Sequence, residues 1–162
     1  MSNLRNVSMN EIERLSAIED IKQLKARYWR GVDNGDVALV RSILAEHCVL
    51  DYRACCTDPV SGIDHMPAMN IVLKGRASWP VSPSPVGPKI VTVHQGNDPD
   101  IVIESSTAAS GIWSFTDRLF LPPGGAFTRL TGWGRYHETY VREADGWKLQ
   151  TTRIERLRME AA

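Results

Sequence analysis

The sequence predicts an α+β fold, in which N-terminal helices pack on one face of a curved antiparallel sheet. Two observations carry this prediction. In the first third of the chain, apolar residues recur every three or four positions, which is the period of an amphipathic helix. The second half instead consists of strand-like runs separated by turn residues. Helices followed by a continuous antiparallel run favour one layer of helices on one sheet.

The helices are predicted from caps and apolar periodicity. The first should run from Ser8 to Val32, with Ser8 as N-cap of a capping box that Glu11 completes. Gly35 should end this helix, and Asp36 can cap a short second helix. A third short helix is expected from Met66 to Lys74.

The strands are predicted from β-branched and aromatic runs bounded by turn residues. The segments concerned are Cys48–Arg53, Lys89–Gln95, Ile101–Ile103, Thr107–Leu121, Thr131–Arg142 and Trp147–Arg158. Asp145-Gly146 is a hairpin signal before the last of them. The proline-rich passage from Trp79 to Lys89 is expected to be a surface loop near a cavity mouth.

Composition argues against a nucleic-acid-binding protein and against a membrane protein. The 162 residues fit one domain spanning 1–162. Nineteen basic and nineteen acidic residues cancel, so no net charge attracts nucleic acid or an anionic membrane. No apolar run approaches the roughly 20 residues of a membrane span, and the N-terminus lacks a signal-peptide pattern. We therefore expect a cytoplasmic protein with neither nucleic acid nor membrane as partner.

The cysteines predict neither a disulfide framework nor a metal site. There are three of them, and the adjacent pair Cys55-Cys56 is poorly placed to join to itself. Cys48 has the pattern of a core residue, whereas a nucleophilic role for Cys55 or Cys56 stays open. Zinc spacing and an iron triad are both missing from the sequence, so we predict no metal and no cofactor.

Tyr28, Asp33 and His94 are the residues best suited to acid–base chemistry. A carboxylate that holds the Nδ1 proton of an imidazole leaves Nε2 free to exchange a proton near neutral pH. On the residues alone, packing explains Tyr28 equally well, and a lone histidine in an apolar strand such as His94 is more often a core residue. Five residues turn a helix about 140° beyond a full revolution, so Tyr28 and Asp33 can converge only if the helix end unwinds.

Three segments carry a resemblance to a known family: Ala17 to Asp33, His94 to Leu119, and Gly134 to Trp147. Over nearly its whole length the chain resembles the SnoaL-like branch of the nuclear-transport-factor-2-like superfamily. Within that branch it is similar to the bile-acid 7α-dehydratases and, more distantly, to the scytalone dehydratases and lindane dehydrochlorinases. The resemblance implies a cone-shaped sheet with helices on its concave side, and assembly as a homotrimer or homodimer.

The resemblance also implies a set of catalytic residues. Asp33 and His94 match the aspartate and histidine that pair in these lyases, and Tyr28 matches the tyrosine of the bile-acid dehydratases. An arginine on the last strand completes the set. Arg156 and Arg153 both fit, but strand alternation places them on opposite faces, and we favour Arg156.

Further positions are expected to contact substrate. Tyr52 belongs to an Asp-Tyr-Arg motif shared with the scytalone dehydratases and could polarise a substrate oxygen, although their second cavity histidine is missing here. Trp29 and Trp113 would form an aromatic wall, and Arg153 is kept as a binding candidate.

These residues together predict a cofactor-independent lyase. Its substrate would be a small hydrophobic cyclic or aryl alcohol, with water as the leading choice of leaving group. Loss of halide or retro-aldol cleavage requires the same base. Two alternatives stay open, namely an isomerase or cyclase of the same fold and a non-catalytic module that binds a small ligand.

Overall fold

The computed structural model describes residues 9–79 and 90–162. Two helices precede six strands: α1 (Glu11–Asn34), α2 (Val37–Ile43), β1 (Leu44–Asp51), β2 (Val72–Lys74), β3 (Val91–Ile103), β4 (Ala108–Phe120), β5 (Arg129–Glu143) and β6 (Gly146–Ala161). The strands form one sheet in the order β2-β1-β6-β5-β4-β3. All neighbours are antiparallel except β1 and β6. The sheet is curled but not closed, which confirms the predicted α+β class.

The first helix starts later than the sequence predicts. Asn10 is the N-cap: its side chain accepts the Glu13 N–H at 2.9 Å, and the Glu13 carboxylate accepts the Asn10 N–H at 2.9 Å. The capping box is therefore of the expected kind but two residues further on, and Ser8 lies outside the described residues. At the other end Gly35 adopts a left-handed φ of 67°. The N–H of Asp36 reaches back to the Gly31 carbonyl at 2.8 Å.

The predictions for the middle of the chain need two corrections. Met66–Lys74 is not a third helix, because only Pro67–Met69 makes a 3₁₀ turn and Val72–Lys74 pairs as β2 with the end of β1. The two strands predicted up to Ile103 form one strand, β3, with a bulge between Asn97 and Asp100. The proline-rich residues 80–89 lie outside the described part of the chain.

The inner face of the sheet is set by strict alternation on β5. Even-numbered residues from Leu130 to Tyr140 are buried, whereas the odd-numbered ones are partly or fully exposed. Helix α1 covers this inner face and contacts β3 and β6. No helix in the described part of the chain is long and apolar enough to cross a membrane.

A buried ion pair joins α1 to the sheet. Lys25 is completely buried, and its Nζ donates to Glu138 on β5 at 2.5 Å. Glu138 also accepts hydrogen bonds from Thr152 at 3.0 Å and from the Tyr140 hydroxyl at 2.5 Å. Burial lowers the pKa of Lys25 to about 8, against the opposing effect of Glu138. The Tyr136 ring, 3.5 Å from Nζ, covers the ammonium group.

Replacing Lys25 with methionine should destabilise the fold strongly. Lys25→Met leaves the Glu138 carboxylate buried without its counter-charge, which typically costs about 3–5 kcal/mol. Lys25→Met/Glu138→Gln removes both charges and should recover part of that loss. The free energy of unfolding from urea titration measures both effects. Lys22→Met is the matched control, since Lys22 is exposed on the same helix, and equal stability of the two single variants would contradict the prediction.

Candidate acid–base site

Asp33 and His94 are in direct contact between α1 and β3. Nδ1 of His94 lies 2.6 Å from Oδ1 of Asp33. An ionised carboxylate only accepts hydrogen bonds, so the proton between them belongs to Nδ1, and neutral His94 has a free lone pair on Nε2. The two side chains are 22% (Asp33) and 10% (His94) exposed. They open onto a groove of about 700 Å³ between α1 and β3.

Strand β3 surrounds the Asp33 carboxylate with donors. Besides Nδ1, the His94 backbone N–H donates to Oδ2 at 3.0 Å and the Thr92 hydroxyl donates to Oδ1 at 2.9 Å. Burial alone would raise the pKa of Asp33, but these hydrogen bonds outweigh it and lower the pKa. Asp33 therefore stays ionised, and it can stabilise a positive charge that develops on His94.

The end of α1 keeps Tyr28 apart from Asp33. Helix α1 remains helical through Asn34 and does not unwind around Asp33. A carboxylate in the last turn is also unfavourable beside the negative end of the helix dipole. The three donors from β3 supply the compensation. Tyr28, by contrast, points into the interior, so the structure does not place it in direct contact with Asp33 or His94.

Asp117 on β4 lies next to His94 on the same face of the sheet. The two residues are directly opposite in the β3–β4 register. Because the His94 N–H points to Asp33 rather than to β4, they form a non-hydrogen-bonded pair. Side chains in such a pair have Cβ atoms about 4.5–5.5 Å apart. Asp117 was not among the predicted site residues, although it alternates on β4 in step with the buried residues Trp113 and Phe115.

Arg156 forms a bidentate ion pair with Asp117. Nη1 and Nη2 donate to the two carboxylate oxygens at 2.7 and 2.8 Å, and Nε donates to the Cys55 carbonyl at 2.5 Å. Both side chains are 4% exposed. Burial opposes the charge on Arg156, but Asp117 outweighs it and the pKa of the guanidinium is raised. One N–H remains on each terminal nitrogen for a further acceptor.

Gly132 makes room for this ion pair. A Cβ at this position would overlap Nη1 of Arg156, Oδ1 of Asp117 and Sδ of Met159. The pair therefore lies across the backbone of β5 at Gly132, where the strand presents no side chain.

Arg153 lies on the opposite, outer face of the sheet. It is exposed, and its register partners are Asp51 on β1 and His137 on β5. All three line a groove of about 480 Å³ on that face. Of the two arginines that the sequence offered, Arg156 faces the interior with His94, and Arg153 does not.

Tyr28 and Tyr52 form a pair of buried hydroxyls. Their oxygens are 2.8 Å apart. Burial raises the pKa of Tyr28 and raises that of Tyr52 well above its ordinary value, so both phenols stay protonated. A mutual hydrogen bond uses one of the two protons. The other O–H can donate to a third oxygen.

Aromatic rings connect these polar pairs. Phe115 lies 4.9 Å from the Arg156 guanidinium and 4.3 Å from the Tyr136 ring. Tyr136 is in turn 6.2 Å from both Tyr28 and Trp29. Trp29 packs on Gly96, where a Cβ would overlap its ring, and edge-on to Trp113 at 5.7 Å. The inner face therefore combines apolar aromatic surface with the three polar pairs of the candidate site, Asp33–His94, Asp117–Arg156 and Tyr28–Tyr52.

The chemistry available to these groups is proton transfer and hydrogen-bond donation. Within residues 9–79 and 90–162, no group of three histidine, cysteine or acidic side chains is placed to hold a metal ion.

Comparisons with known proteins identify the family and the fold. A sequence model described as a SnoaL-like domain matches residues 13–153. A type 2 hexachlorocyclohexane dehydrochlorinase has a TM-score of 0.73 and 17% identity, with 94% of this chain and 93% of that chain covered. The type 3 enzyme from Novosphingobium barchaimii has a TM-score of 0.72 and 17% identity, with 94% of each chain covered.

A third solved structure is a protein of Novosphingobium aromaticivorans provisionally assigned as a scytalone dehydratase. Its TM-score is 0.70 and its identity 14%, with 94% of this chain and 92% of that chain covered. At such identities the likeness to these solved structures shows a shared fold.

Replacing Asp33 with asparagine should destabilise the protein in a pH-dependent way. The folded-state pKa of Asp33 lies below its value of about 4 in the unfolded chain. Its stabilisation is therefore complete above about pH 4 and lost as the pH falls through the folded-state pKa. We expect Asp33→Asn to cost about 1–3 kcal/mol at pH 7 and less at pH 3. Urea unfolding at both pH values measures this difference.

Asp36→Asn is the matched control for that series, because asparagine caps a helix as well as aspartate does. A cost for Asp33→Asn that did not decrease at pH 3 would contradict the assignment of Asp33 as an ionised acceptor.

Replacing Gly132 with alanine should disrupt the Asp117–Arg156 pair. The added methyl overlaps both side chains, so the expected cost is about 1–3 kcal/mol of unfolding free energy. Gly125→Ala is the control, since a Cβ there meets only ordinary contacts. Thermal unfolding of both variants tests this, and equal melting temperatures would show that the pair does not need the space above Gly132.

Proposed function

The chain belongs to the family of SnoaL-like domains, and we propose that it is a cofactor-independent lyase whose base is His94. The proposed reaction is elimination, with loss of water as its leading form. The proposed substrate is a small hydrophobic cyclic or aryl alcohol. The observation that supports this most directly is the 2.6 Å contact of Asp33 with Nδ1 of His94, which leaves Nε2 free to accept a proton.

In the proposed step, Nε2 of His94 removes a proton from a substrate carbon. The electron pair of that C–H bond forms the new double bond, and the bond to the leaving oxygen breaks. The leaving hydroxyl takes up the proton that His94 removed from carbon and departs as water, which returns His94 to its neutral form. Asp33 remains ionised and stabilises the imidazolium by charge and hydrogen bond. Its lowered pKa supports this role, because a neutral Asp33 would not offset the positive charge of the imidazolium.

Two pairs of side chains are available to stabilise the oxygen atoms of a substrate. The Tyr28–Tyr52 pair keeps one O–H to donate, and the raised pKa values of both phenols make them donors rather than bases. Arg156 keeps two N–H groups beyond its bonds to Asp117 and Cys55. We propose that the tyrosine pair binds a substrate oxygen and that Arg156 assists the leaving oxygen.

The aromatic inner surface supports the choice of substrate class. Trp29, Trp113, Phe115 and Tyr136 offer apolar faces and few competing polar atoms. Such a wall favours a ring over a charged or extended chain. Two structural neighbours, a dehydrochlorinase and a provisionally assigned dehydratase, are named for eliminations, which agrees with this proposal.

A second histidine–carboxylate pair provides an internal control. Nε2 of His137 lies 2.7 Å from Glu155, a contact as short as that of His94. This pair is on the outer face, where both side chains are about one-third exposed (31% and 39%). A histidine–carboxylate contact alone does not make an active site. Replacing His94 and His137 in turn shows whether activity depends on the inner position of His94 or on any such contact.

Proton abstraction by His94 can be measured on a panel of cyclic and aryl β-hydroxy ketones and their halide analogues. Proton NMR in deuterium oxide reports both loss of the leaving group and deuterium exchange at the acidic carbon. We expect His94→Ala and Asp33→Asn to lower the rate by about 10²–10⁴-fold. His137→Ala should leave it unchanged.

Circular dichroism and thermal melting of each variant show whether it has folded. Full turnover in a folded His94→Ala variant would refute the proposal. Saturable binding of panel members without exchange or turnover in the unmodified protein would favour a non-catalytic binding module instead. Exchange without loss of a group would favour an isomerase.

A further inference from the structure

The adjacent thiols of Cys55 and Cys56 have no role in the proposed elimination. Both residues are buried, at 3% and 5% exposure, and neither thiol is in a disulfide. Their sulfur atoms are only 3.7 Å apart. Adjacent side chains in a strand point to opposite faces. A contact between them therefore requires a special backbone conformation.

The turn from Tyr52 to Thr57 supplies that conformation. Ala54, directly before the pair, has a left-handed φ of 57°, which is unusual for a residue other than glycine. The Asn70 side chain accepts the Ala54 N–H at 2.5 Å, and the Cys55 N–H donates to the Tyr52 carbonyl at 3.1 Å. These hydrogen bonds hold the strained turn in place, and both thiols lie on the same side of the turn.

The same turn contacts the candidate site through the backbone. The carbonyl of Cys55 belongs to the peptide unit between the two cysteines, and it accepts the Nε proton of Arg156 at 2.5 Å. Any rotation of this peptide unit therefore changes how Arg156 is held.

We propose that Cys55 and Cys56 form a reactive dithiol, which hydroperoxides oxidise to a Cys55–Cys56 disulfide that releases Arg156 from the Cys55 carbonyl. This property depends on the geometry of the turn and not on turnover at His94. It makes the turn a modification site for small thiol oxidants.

The reaction balances with the hydroperoxide as the only oxidant. The Cys55 thiolate attacks one peroxide oxygen, the O–O bond breaks, and an alcohol or water leaves, so that Cys55 becomes a sulfenic acid. The Cys56 sulfur then attacks the sulfenic sulfur and displaces hydroxide, which takes up the Cys56 thiol proton and leaves as water. The two sulfur atoms lose two electrons in total, and the peroxide gains them.

The surroundings of the two thiols support this division of roles. The hydrogen bond with Cys56 lowers the pKa of the Cys55 thiol, against the effect of burial, and the charge of Arg156 acts in the same direction. The same contact, together with burial, raises the pKa of Cys56. Cys55 is thus the first nucleophile and Cys56 the resolving thiol.

The disulfide would reorganise the turn. It closes an eight-membered ring that contains the peptide unit between the two residues, and neighbouring Cα atoms are closer than most disulfides allow. The ring can close only if this peptide unit rotates, and its carbonyl then leaves Nε of Arg156. Strain of this kind also makes a disulfide easy to reduce, so the change should be reversible by dithiothreitol.

Hydrogen peroxide treatment of the folded protein tests the proposal. Intact-mass spectrometry after alkylation under denaturing conditions should show loss of two hydrogen atoms and only one alkylated thiol, Cys48. Dithiothreitol should restore all three thiols. The Nε–H signal of Arg156 in a proton–nitrogen NMR spectrum should shift upon oxidation and return upon reduction.

Three cysteine variants give the comparison. Cys48→Ala keeps the pair and should behave like the unmodified protein, whereas Cys55→Ser and Cys56→Ser should not form the disulfide or shift the Arg156 signal. Cys55→Ala and Cys56→Ala replace either serine variant that fails to fold. Three results would overturn the proposal: thiols that stay reduced at peroxide concentrations that oxidise the urea-unfolded chain, oxygen added to single cysteines without pairing, or a disulfide that leaves the Arg156 signal in place.

Discussion

The position of α1 on the sheet depends on the buried pair between Lys25 and Glu138. Neither side chain has any exposure, and a charge left alone at that depth would cost several kcal/mol. A rotation of the helix by one residue turns its side chains by about 100° and would separate the two charges. The pair therefore restricts α1 to one rotational setting. In that setting Tyr28 and Trp29 face the aromatic interior and Asp33 reaches β3.

Charge on the inner face is arranged in pairs that differ in depth. Lys25–Glu138 is sealed from water, Asp117–Arg156 is nearly so, and Asp33–His94 is the most exposed of the three. The last pair contains a histidine and opens onto the groove between α1 and β3. The deeper pairs keep their charges in place because isolating either partner is costly. This gradient leaves His94 as the group best placed to exchange protons with a substrate.

Local signals in the sequence were sufficient for most of the fold. Apolar periodicity predicted α1, Asp36 predicted the start of α2, and the strands of the second half were found to within a few residues, except that the break predicted inside β3 is a bulge. The N-terminus of α1 was predicted at Ser8, whereas Asn10 is the N-cap that is used. Residues 72–74 were predicted to be helical. In the structure they pair with the edge of β1 that faces away from β6, so tertiary pairing outweighs local preference.

The candidate site was predictable only where a resemblance supplied the positions. Asp33 and His94 are 61 residues apart, and nothing local in the sequence says that they meet. Alternation on β6 showed that Arg153 and Arg156 face opposite sides but not which side is inner. That choice depends on the register with β5. Asp117 was missed because its position opposite His94 depends on where the β3 bulge falls.

The hydrogen bond from the His94 backbone to Asp33 has a consequence for assembly. Strand β3 is the last strand of its sheet, and an edge strand of this kind can recruit a strand from another chain. Asp33 occupies the donor at His94 with a carboxylate, and the nearby negative charge opposes the approach of a foreign backbone carbonyl. Asp33, which orients the imidazole, thus also blocks one position at which a foreign strand could pair with the edge of β3. Selection on solubility and selection on chemistry would act on this position in the same direction.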